Sequence, residues 1–172
     1  GNTSASDLCN SFIQNYDKFI SDNVSGNDDY ALAWYDEREA EITAIQKRVI
    51  SLASKVSSFY GGAHPSEYVY LRNFDPQTGD SIGLGMVFNE EALIELTHLG
   101  ENAFRKAKKL GSDASYESEG YWFEDDQFEL TDNFAFTEKG LWFYYNDYEI
   151  APYSMGHSEF ILPYSIIMHL ID

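Results

Sequence analysis

Two glycine-punctuated, aromatic-dense stretches constrain this chain more than anything else in it. They are Tyr60-Gly-Gly-Ala-His-Pro65 followed by Asn73-Phe-Asp-Pro-Gln-Thr-Gly79, and Gly140-Leu-Trp-Phe-Tyr-Tyr-Asn-Asp-Tyr-Glu-Ile-Ala-Pro-Tyr153. Gly61 and Gly62 supply the positive φ angles of a tight reversal, and Pro65 stiffens the exit. Asp75 to Asp80 is a turn, with Pro76 preset for its second position and Gly79 near its end. In the second stretch Leu141, Phe143 and Tyr145 alternate with Trp142 and Tyr144, the period of a strand. Phe134-Ala-Phe136 and a Thr-Glu-Lys-Gly turn precede it, which makes a hairpin. The centre of the chain is therefore β-rich and rigid.

The flanking pattern predicts an α+β fold: an antiparallel meander sheet, one long amphipathic helix and short terminal helices. Apolar residues at Leu8, Cys9, Phe12, Ile13, Tyr16, Phe19 and Ile20 have helical spacing, with Ser6 or Asp7 as cap. Cys9 sits on that stripe, so a buried, inert thiol is expected. Ser21 to Asp29 reads as a loop. Glu41 to Gln46, Val49 to Tyr60, Tyr68 to Asn73 and Ile82 to Leu84 read as four strands of one meander. In the second of them Ile50, Leu52 and Val56 share a face that should be buried, opposite Ser51, Lys55 and Ser57.

Asn89 caps a helix ending before Gly111, with Leu93, Leu96, Leu99 or Gly100, Ala103, Ala107 and Leu110 as its buried stripe. Glu90 and Glu91 at its start and Arg105, Lys106, Lys108 and Lys109 at its end suit the helix dipole. A strand at Glu159 to Leu162 leads past Pro163 to a short helix, Ser165 to Leu170. Residues 1–30 form an N-terminal helix and loop, and residues 31–172 the α+β domain, with no repeat or linker between further domains.

Charge sets the partners. A net charge of −18 over 172 residues argues against nucleic acid and against anionic membrane surfaces, and favours a cationic partner. With 44% hydrophobic and 16% aromatic residues the chain is nonetheless globular. One cysteine excludes an internal disulfide and a cysteine-based metal site. Ser6-Asp7-Leu8 makes Cys9 a poor lipid acceptor. No apolar run approaches the roughly 20 residues of a membrane span. The start at Gly1-Asn2, without an initiator Met, reads as trimmed, with a signal or anchor expected upstream.

Little in the sequence reads as catalytic. His64, His98, His157 and His169 are scattered, without ligand spacing or a His-Glu-x-x-His pattern. A ring hydrogen bond to a neighbouring strand is the expected role of His64. Asp125, Asp126 and Glu129, like Asp75 with Asp80, miss the calcium-loop spacing, and no metal or cofactor is expected. Gly83-Leu-Gly85 is a lone fragment of a phosphate loop. Ser112 to Asp132 carries eight acids and no base around Gly120-Tyr-Trp-Phe123, and reads as a surface excursion held by its aromatics. Glu149, among Tyr148, Ile150 and Tyr153, is the best single acid. It is expected to be buried, either hydrogen-bonded to the turn backbone or raised in pKa by desolvation.

The ordered set Tyr60-Gly-Gly-Ala-His64, Asn73-Phe-Asp75 with Thr78-Gly79, Phe136…Gly140-Leu141…Phe143 and Tyr148-Glu-Ile-Ala-Pro-Tyr153, running on through Gly156 to Pro163-Tyr164, resembles a known family. It is the bacterial extracytoplasmic domain-of-unknown-function family 3298, with the C-terminal domain of the lysozyme-sensing anti-sigma factor RsiV as its best understood member type. The resemblance covers roughly residues 39 to 171. It implies an α+β domain like a subdomain of the Hsp70/actin-type fold, in a secreted or membrane-anchored protein, with no catalysis of its own. A second uncharacterised domain often precedes this one in the family, and the helix at Leu8 to Ile20 would be the remnant joining them.

The leading expectation is thus a non-catalytic extracytoplasmic binding or sensory module for a cationic protein such as lysozyme, or for an envelope component. Its candidate binding residues are Tyr121, Trp122, Glu149, Tyr153 and His64, with Tyr121 and Trp122 taken as exposed. Two alternatives stand beside it. One is an envelope-glycan binder or hydrolase using Glu149 with His64 or Asp75; the other is a structural domain supporting an upstream partner.

Overall fold

The capping chemistry at Ser4 sets the start of the first helix. The structure, a computed structural model, describes residues 4–23 and 33–171. Contacts divide the chain into two units, one running to Glu37 and including Ser57–Ser66, the other formed by Arg38–Val56 and the chain from Glu67 onward.

In the first unit α1 spans Ala5–Asn23. Its cap is Ser4 rather than Ser6 or Asp7. The Ser4 hydroxyl accepts from Asp7 N at 3.2 Å, and the Asp7 carboxylate accepts from Ser4 N at 3.1 Å, a reciprocal capping box. The Ser4 hydroxyl, which also donates to the Asp7 carboxylate at 2.7 Å, and after it the Ser4 N–H hold the Asp7 carboxyl below its ordinary range. Phe12, Tyr16 and Phe19 turn toward Trp34, with ring centroids 6.4, 5.6 and 5.0 Å from the indole. Tyr60 closes the cluster at 5.4 Å. Cys9 is exposed, contrary to expectation, because the aromatic cluster starts at Phe12, a turn further on. Of the expected loop, Ser21 to Asn23 belong to α1. Its remainder, and the boundary between residues 30 and 31, lie outside the described residues.

β1 (Tyr35–Ile45), β2 (Ile50–Phe59) and β3 (Ser66–Phe74) form a sheet in that order. β1 starts six residues before the expected Glu41, through Tyr35-Asp-Glu-Arg-Glu-Ala, which lacks apolar alternation and lies at the sheet's edge. The two faces of β2 are the reverse of the expected ones. Ser51 and Ala53 are buried, whereas Ile50, Leu52 and Val56 are half covered. The Ser51 hydroxyl donates to Asn73 Oδ1 at 2.7 Å, so its burial leaves no polar atom unsatisfied. Small side chains there let β2 and β3 approach Ala135 and Tyr144 in a shared cluster with Val69 and Leu71.

The fourth strand of the meander does not form. A single bridge, Phe74 to Ser81, closes the Asp75 turn, and Leu84–Met86 is a 3-10 turn that buries Leu84. Gly83 and Gly85 flank Leu84 and carry no side chains to pack on a pleated surface.

α2 spans Glu90–Lys108. Asn89 Oδ1 accepts from Ala92 N at 2.9 Å, and Lys109 ends the helix in the left-handed region at φ +60°. Its buried face is Ala92, Leu96, Gly100 and Phe104. Of the expected stripe Leu96 and Gly100 are buried, Leu93, Leu99, Ala103 and Leu110 flank the core, and Ala107 is exposed, while Ala92 and Phe104 were not expected in it. A ridge of residues four apart carries the contact instead. A Cβ on Gly100 would lie 2.8 Å from Leu130 Cδ1 and 3.6 Å from Phe160, so the glycine permits close packing.

The second sheet is antiparallel, ordered β4 (Phe134–Phe136), β5 (Gly140–Tyr145), β6 (Ser158–Pro163). Phe143 pairs with Phe134 on one side and Phe160 on the other. The alternation read in β5 holds, with both faces covered. Leu141, Phe143 and Tyr145 join the core with α2; Tyr144 and Trp142 join the cluster under β2 and β3. Gly140 is required sterically, since a Cβ there would stand 2.0 Å from the Leu162 carbonyl oxygen. α3 (Tyr164–Ile167) and a 3-10 turn, Met168–Leu170, close the chain with Ile167 and Leu170 buried. The result is an α+β fold with two small sheets in place of one meander.

Three asparagine side chains join β3 to the second sheet. Asn133 Oδ1 accepts from Leu71 N at 2.7 Å, while its Nδ2 donates to Val69 O at 3.0 Å and Tyr144 O at 2.8 Å. Asn146 Oδ1 accepts from Val69 N at 2.7 Å. Buried Asn73 donates to Phe134 O at 2.9 Å and accepts from Phe136 N at 3.2 Å. Asn133→Ala removes the amide partner of Leu71 N and Tyr144 O at once, while Val69 O keeps Asn146 Nδ2 at 3.1 Å. At about 1–3 kcal/mol for each group left unsatisfied, it should cost at least ~2 kcal/mol in urea unfolding. A loss below ~1 kcal/mol would show that water replaces the amide and that the join is not structural.

Candidate functional site

The acidic segment after α2 is shaped by backbone bonds that force its side chains to alternate. Tyr121 N donates to Tyr116 O and Trp122 N to Ile150 O, each at 2.8 Å. Tyr121 and Phe123 then point inward and Trp122 outward. Tyr121 is 5% exposed and packs 5.1 Å from Phe104, whereas Trp122 is 55% exposed. The expected exposure of Tyr121 is therefore corrected: its ring supports the loop from below, and burial pushes its phenol up in pKa. Asp125 and Asp126 adopt positive φ (+51° and +58°). Asp126 Oδ1 accepts from Glu117 N at 2.8 Å, and that bond holds its carboxyl below the usual carboxylate range.

Glu149 stands on the facing turn, where Tyr148 adopts φ +65°. Its Oε2 accepts from Asn146 N at 2.7 Å, and its Oε1 from the Thr131 hydroxyl at 3.2 Å. The expected hydrogen bond to the turn backbone is present, but the expected burial is not, because Glu149 is exposed. Tyr148, which was to help desolvate it, is itself 52% exposed and stacks on Tyr153 with centroids 5.7 Å apart. Beneath, buried Tyr145 donates to Glu129 O at 2.7 Å and accepts from Thr131 N at 3.3 Å. Burial raises its phenol far above the ordinary value, so it stays neutral and remains a donor.

Between these segments lies a groove of about 440 Å³. Trp122, Glu124, Glu129, Asp132 and Glu149 line it, with Leu130 and Ile150 among its apolar contacts. Four carboxylates and no basic side chain line the groove, so it concentrates cations and repels anions. A cation over the exposed indole would gain about 0.5–2 kcal/mol beyond simple ion pairing. Among the described residues, no three His, Cys, Asp or Glu side chains converge as metal ligands.

The structure thus brings Trp122 and Glu149 together. Tyr153 is at the surface beside Tyr148 but does not line the groove. His64 falls in the first unit, where its Nδ1 lies 2.8 Å from the adjacent Pro65 carbonyl, just before β3 begins. Asp75 lines a different cleft, so it is not paired with Glu149. Glu124 and Asp132 were not singled out beforehand, and Glu129 was considered only beside Asp125 and Asp126 as a cation ligand; the signal was the run of acids without a base in Ser112–Asp132.

Residues 86–165, which cover α2, the acidic segment and the second sheet, match the model of the family described as protein of unknown function DUF3298. No curated protein matches the sequence. Among the solved structures that resemble this one are two crystal structures. A DUF3298 family member from Bacteroides fragilis NCTC 9343 is 24% identical, over 100% of this chain and 71% of its own, with a TM-score of 0.76. A DUF3298 family protein from Pseudomonas aeruginosa PAO1 is 23% identical, over 91% of this chain and 68% of its own, with a TM-score of 0.63. At these identities the likeness establishes the fold.

The groove's back wall depends on one phenol. Tyr145→Phe should cost about 1–3 kcal/mol by leaving the Glu129 carbonyl and the Thr131 N–H without that partner. It should also raise amide exchange at Thr131 more than at Phe143. Equal protection of Thr131 in both proteins would show that the phenol does not hold the wall.

Proposed function

We propose that this chain is a non-catalytic extracytoplasmic binding module that takes a cationic protein partner in the groove between Trp122 and Glu149. The observation that carries the reading is the groove itself, four carboxylates around a 55% exposed indole. A lysine or arginine of the partner would lie on the indole with its charge among the carboxylates, an aromatic anchor ringed by charge. The net charge of −18 would steer such a partner in from solution and make association fast and salt-sensitive. The resemblance to the domain of a lysozyme-sensing anti-sigma factor makes lysozyme the natural first partner and the cell envelope the natural location. An envelope glycan is the second reading, favoured by the exposed rings of Trp122, Tyr148 and Tyr153, whose faces suit sugar C–H groups. Glu149 favours binding over hydrolysis in either case, since both its oxygens accept bonds that hold the turn.

Calorimetric titration with lysozyme at physiological and at high salt tests the proposal. Binding should weaken but survive at high salt, and Trp122→Ala should weaken it about tenfold, equivalent to ~1.4 kcal/mol. Binding that vanishes at high salt and ignores Trp122→Ala would mean attraction between opposite net charges alone. No binding at either salt rejects a lysozyme partner, and binding of peptidoglycan fragments lost in Trp122→Ala would then favour the glycan.

A further inference from the structure

A second cleft, of about 840 Å³, lies within the larger unit and is independent of the acidic groove. Its walls are the β1–β2 turn, the Asp75–Asp80 turn and the 3-10 segment leading into α2. Its volume falls within the range of small-molecule sites, about 300–1,000 Å³, and toward the upper end. Exposed Met86 and half-buried Ile82, Val87 and Ile171 supply its accessible apolar lining, over a floor of buried Val49, Phe88 and Phe136.

The rim is charged on both sides and with opposite signs. Lys47 and Arg48 stand on one turn, and Asp75 and Asp80 on the other. The Asp75 carboxylate is engaged, accepting from Gln77 N at 2.7 Å and Thr78 N at 3.3 Å. The side chains of Lys47, Arg48 and Asp80 make no hydrogen bond or ion pair among the described residues. Both turns are braced, Gln46 N to Val49 O at 2.8 Å and Asp75 N to Asp80 O at 2.9 Å. The three charges are thus mounted on ordered backbone, which lowers the entropy lost when a ligand engages them.

The sign pattern selects the ligand class. A simple anion would find Lys47 and Arg48 but would have to approach a chain of net charge −18. A simple cation would meet Asp80 against two positive groups. A zwitterion with an apolar body is neutral overall and satisfies both rims and the floor. Gln46, Gln77 and Thr78 also line the cleft and match the donors and acceptors of peptide groups.

We propose that this cleft binds short apolar peptides with free termini. The terminal carboxylate lies on Lys47 and Arg48, the terminal ammonium on Asp80, and the side chains cover Ile82, Met86 and Val87 above the buried floor. The test is amide-resolved NMR of the whole chain, titrated with di-, tri- and tetrapeptides of Ala, Val and Leu. Shifts should concentrate at Val49, Ile82 and Phe88, with a Kd of about 1 mM or tighter for the best length. Binding should weaken about tenfold or more on C-terminal amidation and in Lys47→Ala with Arg48→Ala, the loss of a charge-assisted bond. Asp80→Asn should weaken the free peptides but leave N-acetylated ones unchanged. These are exposed charges, so the unliganded spectra should report an unaltered fold. Absence of shifts at the cleft, equal binding of amidated peptides, or indifference to Asp80→Asn would each overturn the proposal.

Discussion

The side-chain amides of Asn73, Asn133 and Asn146 are the constraint on which the larger unit depends. Each offers an acceptor and a donor in the spacing of a peptide group, so they continue hydrogen bonding from β3 into β4 and β5 without a continuous backbone ladder. The substitution matters because β4 has only three residues and cannot fix its own position by backbone pairing alone. Thr43 adds a further bond, its hydroxyl donating to Phe136 O at 2.8 Å. Burial makes the set demanding: with every member satisfied it fixes one register, while a missing partner strands several backbone groups. The same residues reach the acidic groove. Asn133 N donates to the Thr131 hydroxyl, and Asn146 N to the Glu149 carboxylate, so the join between the sheets also sets both edges of the groove.

Around that frame the aromatic core explains how a segment with eight acids and no base stays ordered. Phe104, fully buried on α2, touches Tyr116, Tyr121, Phe123, Phe128 and Tyr145 at centroid distances of 5.1 to 6.0 Å. Each ring removes apolar area from water and offsets the repulsion among carboxylates that remain outside. Arg105 contributes from the helix end: it lies 4.2 Å over the Tyr116 ring, pairs with Glu101 at 3.1 Å and donates to Gly111 O and Ala114 O. The basic end of α2 is therefore more than a complement to the helix dipole, since Arg105 also anchors the segment that follows.

What was legible in the sequence was whatever a local rule determines. Asn89 caps α2, Gly140 turns the hairpin and β5 alternates as read, because capping geometry, steric access and strand period act over a few residues. Less was legible where burial is decided by distant partners. Ser51 looks like a solvent residue until Asn73 accepts its hydroxyl, and Ile50 and Leu52 look like core until that bond turns the strand over. Tyr121 and Trp122 are adjacent and similar in composition, yet the bond from Trp122 N to Ile150 O sends one inward and the other out. Ile82 had the composition of a strand, but the glycines after it released the chain into a 3-10 turn. Half of the candidate binding pair was legible as an exposed ring; the surrounding carboxylates needed the fold to converge.

The early start of β1 has a consequence for the protein's company. An edge strand leaves a row of backbone donors and acceptors open to any other strand, including that of a second copy. Here the first half of the edge carries Asp36, Glu37, Arg38, Glu39 and Glu41, a mostly negative run, ahead of exposed Ile42 and Ile45. Two copies approaching edge to edge would set like charges opposite one another. The segment that lacked a strand's hydrophobic pattern thus acts as a fence against fibrous self-assembly, and it leaves the acidic surface free for partners of the opposite sign.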